Sequence, residues 1–258
     1  MPVKKFTRIG SLLAILAATT SAALWWILRP LPELPQPDLS ALEPGIKRQI
    51  QEALDAAQAR PRDVDTVAML GKTLLAYDRP EDAARCFARA SALQADDFRW
   101  TYLQAQAQRR SGNSDRATTL LRETITQEPT FLPARLALGE ALLDAGEIDA
   151  AAPLFEQLAG EYPESPHALF GLGRVRAERG QSAEAVTLLR RALVAADRRW
   201  GAAHYALALA LRDSGERDLA QRQLRLYEAH KEIAPRSQDP LLNEVAQSRR
   251  GAEHYLNL

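Results

Sequence analysis

The chain has 258 residues, 46% of them hydrophobic, and balances 33 acidic against 33 basic side chains, so it can bury a sizeable core and carries no net field that would select nucleic acid. Its single cysteine, Cys86, excludes an intrachain disulfide and the metal and haem motifs built on paired cysteines. Alanine, leucine, arginine, glutamate and glutamine dominate while β-branched residues are sparse, a composition that favours helix nearly everywhere.

Lys4, Lys5 and Arg8 precede an uncharged apolar run from Ile9 to Leu28 that ends near Trp25-Trp26. Such a run, at about 1.5 Å per residue, spans roughly 30 Å, the thickness of a bilayer core. Residues 1–29 are therefore predicted to be a signal-anchor, a transmembrane helix whose basic end stays in the cytoplasm. Ser21-Ala22-Ala23 leaves signal cleavage as the alternative, which would release a secreted or periplasmic protein. Pro30, Pro32, Pro35 and Pro37 make residues 30–43 an extended spacer expected to hold the next domain off the membrane. Ile46, Ile50, Leu54 and Ala57 recur at helical spacing, so residues 44–60 read as an amphipathic leading helix.

A 34-residue shift then brings the chain into register with itself. Blocks 64–97, 98–131, 132–165, 166–200 and 201–234 align, with one extra residue in Arg198-Arg199-Trp200. The eighth position is small (Gly71, Ala105, Gly139, Gly173, Ala208) and the twentieth is alanine throughout (Ala83, Ala117, Ala151, Ala185, Ala220). The twenty-fourth is bulky (Phe87, Leu121, Phe155, Leu189, Leu224), and the fifteenth is a turn former (Asp78, Gly112, Gly146, Gly180, Gly215). Small residues let two antiparallel helices approach, bulky ones fill what is left, and glycine supplies a left-handed turn. Acids at Glu81, Asp115, Asp149, Glu184 and Asp218 open the second helix of each pair, where the helix dipole favours them.

These motifs resemble the tetratricopeptide repeat family, most clearly in Ala134 to Gly139, Ala168 to Gly173 and the Ala-x-x-x-Phe of Ala151 to Phe155, with Pro129 and Pro163 closing two repeats. Gln104, Gln108 and Arg176 depart from the apolar pattern. The resemblance implies an all-α, right-handed solenoid of five helical hairpins over residues 64–234 whose repeats touch only their neighbours. Residues 235–258 are expected to form a C-terminal capping helix over the last repeat, from Asp239-Pro240 onward, or to begin a further repeat at Ala252.

By the same resemblance, side chains at the second, fifth, ninth, twelfth and thirteenth positions of each first helix face a ligand. The partner-binding groove is therefore expected to use Tyr102, Gln106, Arg109, Leu136, Glu140, Phe170, Arg174, Tyr205 and Arg212. Its mixed charges and aromatic anchors suit an extended or helical peptide. Ala68 and Lys72 stand where chaperone-binding relatives carry the lysine and asparagine of their carboxylate clamp, so that specificity does not carry over. The four histidines lack metal-binding spacing, and no phosphate loop or nucleophile elbow is present; no catalytic residue, metal or cofactor is expected. The whole looks like the anchored repeat scaffolds of bacterial envelopes, placing the domain in the periplasm on the inner membrane. The expected function is a non-catalytic scaffold that binds a protein or peptide partner during assembly of an envelope complex. The alternatives are a chaperone-like holder of exported chains, or a fragment of a longer protein with a catalytic domain beyond residue 258.

Overall fold

The structure, a computed structural model, describes residues 30–235 and 239–249. The predicted membrane segment at 1–29 and the repeat-like end from Ala252 lie outside the described residues. Within them no helix is long and apolar enough to cross a membrane.

Twelve α-helices, and no strand, make up the described residues. A leading helix, α1 (Pro44–Ala59), precedes five hairpins: α2 (Val64–Ala76) with α3 (Pro80–Leu93), α4 (Phe98–Arg110) with α5 (Ser114–Gln127), α6 (Leu132–Asp144) with α7 (Ile148–Glu161), α8 (Pro166–Glu178) with α9 (Ser182–Ala195), and α10 (Gly201–Asp213) with α11 (Arg217–His230). A short helix, α12 (Pro240–Gln247), follows. Each helix of the array packs on the next in the chain, giving an all-helical solenoid of stacked hairpins.

One turn geometry is used five times. Gly112, Gly146, Gly180 and Gly215 all have φ between 73° and 87°, and Asp78 takes the same left-handed conformation at 56°. The amide after each turn residue returns to a carbonyl five residues earlier, as in Arg79 to Leu74 (2.9 Å) and Glu147 to Leu142 (2.8 Å). This satisfies carbonyls that the helix end would otherwise orphan. The inserted residue in the connection between the fourth and fifth hairpins is absorbed by two further left-handed residues, Asp197 and Arg198.

The hairpins close on small residues. Phe87 and Phe155 are fully buried, and a methyl group added at Gly71 or Gly139 would lie 2.9 Å and 2.6 Å from their respective ring carbons. Phe155 is pinched a second time, by Gly171 of the following hairpin, where a methyl group would lie 2.0 Å from Cε1. Arg176, a polar intruder in the repeat pattern, is accommodated by ion pairs to Glu156 and Glu184, both at 3.0 Å. Leu224 breaks the trend at 41% exposure, because no described helix covers the outer side of α11.

Two segments sit differently from expectation. The proline-rich stretch is no free spacer: Leu39 is buried, Leu31, Leu34 and Leu42 pack against the core, and Arg89 Nη1 donates to the Pro32 carbonyl at 2.6 Å. The leucines between the prolines hold it against the first hairpin. Helix α12 does not cover the last repeat. It returns to the start of the array and packs on α2 and α4, burying Leu241 and Val245.

Candidate functional site: the inner groove

Across repeats, first helices touch one another (α6 with α8, α8 with α10), so that side of the solenoid has the smaller radius and is its concave wall. On it lies a cavity of about 200 Å³ shared by three hairpins. Tyr102, Gln106 and Arg109 come from α4, and Leu136 and Glu140 from α6. His167 of α8 stands opposite, and Asp239 and Leu242 close the near end.

The spacing of three or four residues along each helix puts these groups on one face. Arg109 Nη2 donates to Glu140 Oε2 at 3.0 Å, joining α4 to α6 across the cavity wall. One repeat on, Arg174 Nη2 reaches Asp144 Oδ1, also at 3.0 Å, and its guanidinium lies 5.9 Å from the Phe170 ring. These ladders tie neighbouring first helices while leaving mixed charge along the groove.

Tyr102 is buried, with its ring edge-on to Phe131 at 5.0 Å and its hydroxyl donating to the Asp239 carboxylate. Burial, together with that carboxylate, pushes the Tyr102 phenol well above its ordinary value. Asp239 also caps α12, since its Oδ1 accepts from the Leu241 and Leu242 amides at 3.0 Å each. The helix continues along the groove, where Lys72 Nζ meets Glu244 Oε2 at 2.6 Å, Gln49 donates to the Ser248 carbonyl, and Arg249 donates to the Ala76 carbonyl.

His167 adds an unused group. Its Nε2 is buried without a hydrogen-bond partner among the described residues, and burial lowers the imidazole pKa. Trp200 packs nearby at a tilt, its ring centroid 5.1 Å from that of His167 and 4.3 Å from that of Phe170.

Of the nine groove residues expected from sequence, the structure gathers Tyr102, Gln106, Arg109, Leu136 and Glu140 around one cavity. Phe170 and Arg174 lie one repeat further on. Tyr205 is 45% exposed against Tyr227, and Arg212 pairs with its neighbour Asp213; neither reaches the cavity. Tyr102 and Gln106 are not open to solvent as expected, because the returning tail covers that part of the groove. Sequence reasoning missed His167 and Asp239. His167 occupies the second position of its first helix, a ligand-facing place by the repeat rule, and Asp-Pro is an N-cap signature that says nothing of where the helix docks. Among the described residues no group of three or more histidine, cysteine or acidic side chains could hold a metal ion.

A helical-repeat solenoid with an inner groove is a scaffold class, and the comparisons specify which. The tetratricopeptide repeat family model matches residues 68–130 and 136–203, and a second such model matches 201–225. The chain belongs to the tetratricopeptide repeat family, whose members are protein-interaction scaffolds. No curated protein matches it. Among solved structures it is similar to MamA from Desulfovibrio magneticus RS-1 (17% identity, TM-score 0.56, covering 71% of this chain and 96% of that one). It is also similar to YrrB, described as a TPR protein with an unusual peptide-binding site (14% identity, TM-score 0.55, 81% and 100%). A third is TTC0263, a thermophilic TPR protein of Thermus thermophilus (23% identity, TM-score 0.53, 72% and 98%). At these identities the likeness speaks for the fold alone.

Proposed function

We propose that the chain is a non-catalytic scaffold that grips a polypeptide partner along its concave wall, anchored to a membrane by residues 1–29 and serving assembly of a bacterial envelope complex. One observation carries the groove reading: a cavity on the inner wall whose lining mixes apolar side chains with Arg109, Glu140 and an unsatisfied His167 Nε2. A buried polar atom without a partner is costly to leave so, and a peptide carbonyl or hydroxyl seated there would remove that cost. The fold shared with YrrB, a protein described by its peptide-binding site, lends support. The anchor and the periplasmic setting rest on the basic-then-apolar order of residues 4–28.

Crosslinking of the full-length chain in intact membranes, followed by identification of what is bound, tests this. One stoichiometric partner, lost in a Glu140→Lys/His167→Ala variant that keeps its helical signal, is expected. Many substoichiometric clients would replace the assembly role with that of a holder of exported chains. A partner retained by the variant would remove the groove from the account, and a cytoplasmic signal from a reporter fused after Leu258 would remove the envelope setting.

A further inference from the structure

Part of the groove is covered by the chain itself. Residues 239–249 lie on α2 and α4 as a short helix with its own set of anchors: the Asp239 carboxylate on the Tyr102 hydroxyl, Leu241 and Val245 buried, Glu244 on Lys72. Leu242 at the same time rims the cavity described above. Occupied and open parts of the groove are thus continuous, and a peptide running from the cavity toward α2 meets the tail.

We infer that residues 239–249 are a displaceable resident of the groove, and that the partner the groove accepts presents the same chemistry. That chemistry is a short amphipathic helix capped by an aspartate, with leucine two residues after the cap, valine six after it, and an acid just before the valine. The inference rests on the scaffold reading above and names its ligand class.

Three observations separate a resident from a core element. Helices α1 to α10 each bury four or more residues, whereas α12 buries two; only α11, at the uncovered end of the array, buries fewer. Eight residues are too few for a helix to persist without a surface to fold on, so α12 forms as it docks. The receptor side is preformed: Phe131 holds the Tyr102 ring edge-on, and Lys72 projects from a helix packed on both sides, so both anchors remain when the tail leaves. Asp239 is the specifying residue, because one carboxylate both starts the helix and meets the buried hydroxyl. Residues 231–238, which connect it to α11, make a short tether that gives the tail an effective concentration of about 1 mM, so for a groove with an intrinsic Kd of about 10 µM the resident weakens an incoming ligand about 100-fold.

The test uses the full chain and a fluorescent peptide with the sequence of residues 239–249. Leu241→Ser/Val245→Ser vacates the groove. Lys72→Cys/Glu244→Cys bridged by a short bismaleimide locks it, with the buried Cys86 out of reach of the reagent. Peptide anisotropy is expected to show binding at least ten-fold tighter to the vacated chain than to wild type, none to the locked chain, and at least ten-fold weaker binding by an Asp239→Ala peptide. Equal affinity for vacated and wild-type chains overturns the inference, as does failure to bind a vacated chain whose circular dichroism is unchanged. If vacating the groove unfolds the chain, hydrogen exchange in wild type decides: amides 242–245 at least about ten-fold less protected than those of α4 uphold a displaceable tail, and equal protection overturns it. A concentration-dependent dimer that exchanges tails also overturns the assignment in cis. Partner capture separates this from the scaffold reading. Equal capture by vacated and locked chains sinks the inference alone, whereas peptide exchange without any captured partner sinks the scaffold role alone.

Discussion

Replacing Gly171 by alanine asks the packing argument its hardest question. The new methyl carbon would lie 2.0 Å from Cε1 and 2.3 Å from Cζ of Phe155. Non-bonded carbons rest at about 3.5–4.0 Å, so the ring must retreat by about 1.5 Å. It cannot retreat freely, since Phe155 is fully buried and Gly139 faces it closely as well. Overpacking of this kind costs about 1–3 kcal/mol, and so deep an overlap belongs at the upper end. Alanine returns about 1 kcal/mol through its better helix propensity, leaving a net loss of about 2 kcal/mol. Gly160 supplies the control: it sits in α7 with nothing within 4 Å of an added methyl, so Gly160→Ala should gain up to about 1 kcal/mol. Urea denaturation followed by circular dichroism measures both. Placing Gly171→Ala in a Phe155→Leu background should recover most of the loss relative to Phe155→Leu alone. A Gly171→Ala chain as stable as wild type would refute the two-sided clamp on Phe155, and with it the fit between the third and fourth hairpins.

Ala151→Leu and Ala185→Leu force side chains into fully buried hairpin seams and should each cost about 1–3 kcal/mol in the same assay. Burial pushes the Cys86 thiol far above the ordinary range, so a colorimetric thiol reagent should leave it unmodified in the folded chain and titrate it fully in denaturant. His167 gives a pH signature. Its pKa is lowered by burial, so the unfolded chain binds the proton first; the associated stability is present above about pH 6.5, the unfolded value, and is lost as pH falls toward the folded one. His167→Gln should therefore lose less urea resistance than wild type between pH 7 and pH 5, and parallel profiles would show that this imidazole is not the group responsible.

The array is legible in the sequence because its signals are local. Small, turn-forming and bulky residues recur at fixed offsets, and each enforces a contact within its own hairpin or with the next, as Gly71 does with Phe87. What is not legible is long-range. Leu241 and Val245 announce an apolar helix face, but nothing in their spacing says that it docks beside Tyr102, whose partner Asp239 lies 137 residues further on. For the same reason Tyr102 and Tyr205 look alike in the repeat pattern and differ in the fold, one covered by the tail and the other half open. The leucines of the proline-rich stretch are visible too; that they fold back onto the first hairpin follows from a surface the linear pattern does not display. His167 is within reach of the repeat rule, and weighing histidine only as a catalytic or metal-binding group is what hides it.

The returning tail also changes what kind of polymer this is. A linear array of repeats frays from its ends, because a terminal hairpin has one neighbour instead of two. Here the polypeptide leaves α11 and residues 239–249 fasten to α2 and α4, so a segment that follows the last hairpin is tied to the first two, and in connectivity the chain between them is a closed ring. Melting the fifth hairpin while the ring stays shut frees only a loop of fixed ends, which gains less entropy than a free end would. The few contacts of α12 thus act at a distance: they couple the first hairpin to the last, and undoing them turns a closed cooperative body back into an open chain that unravels from its edge.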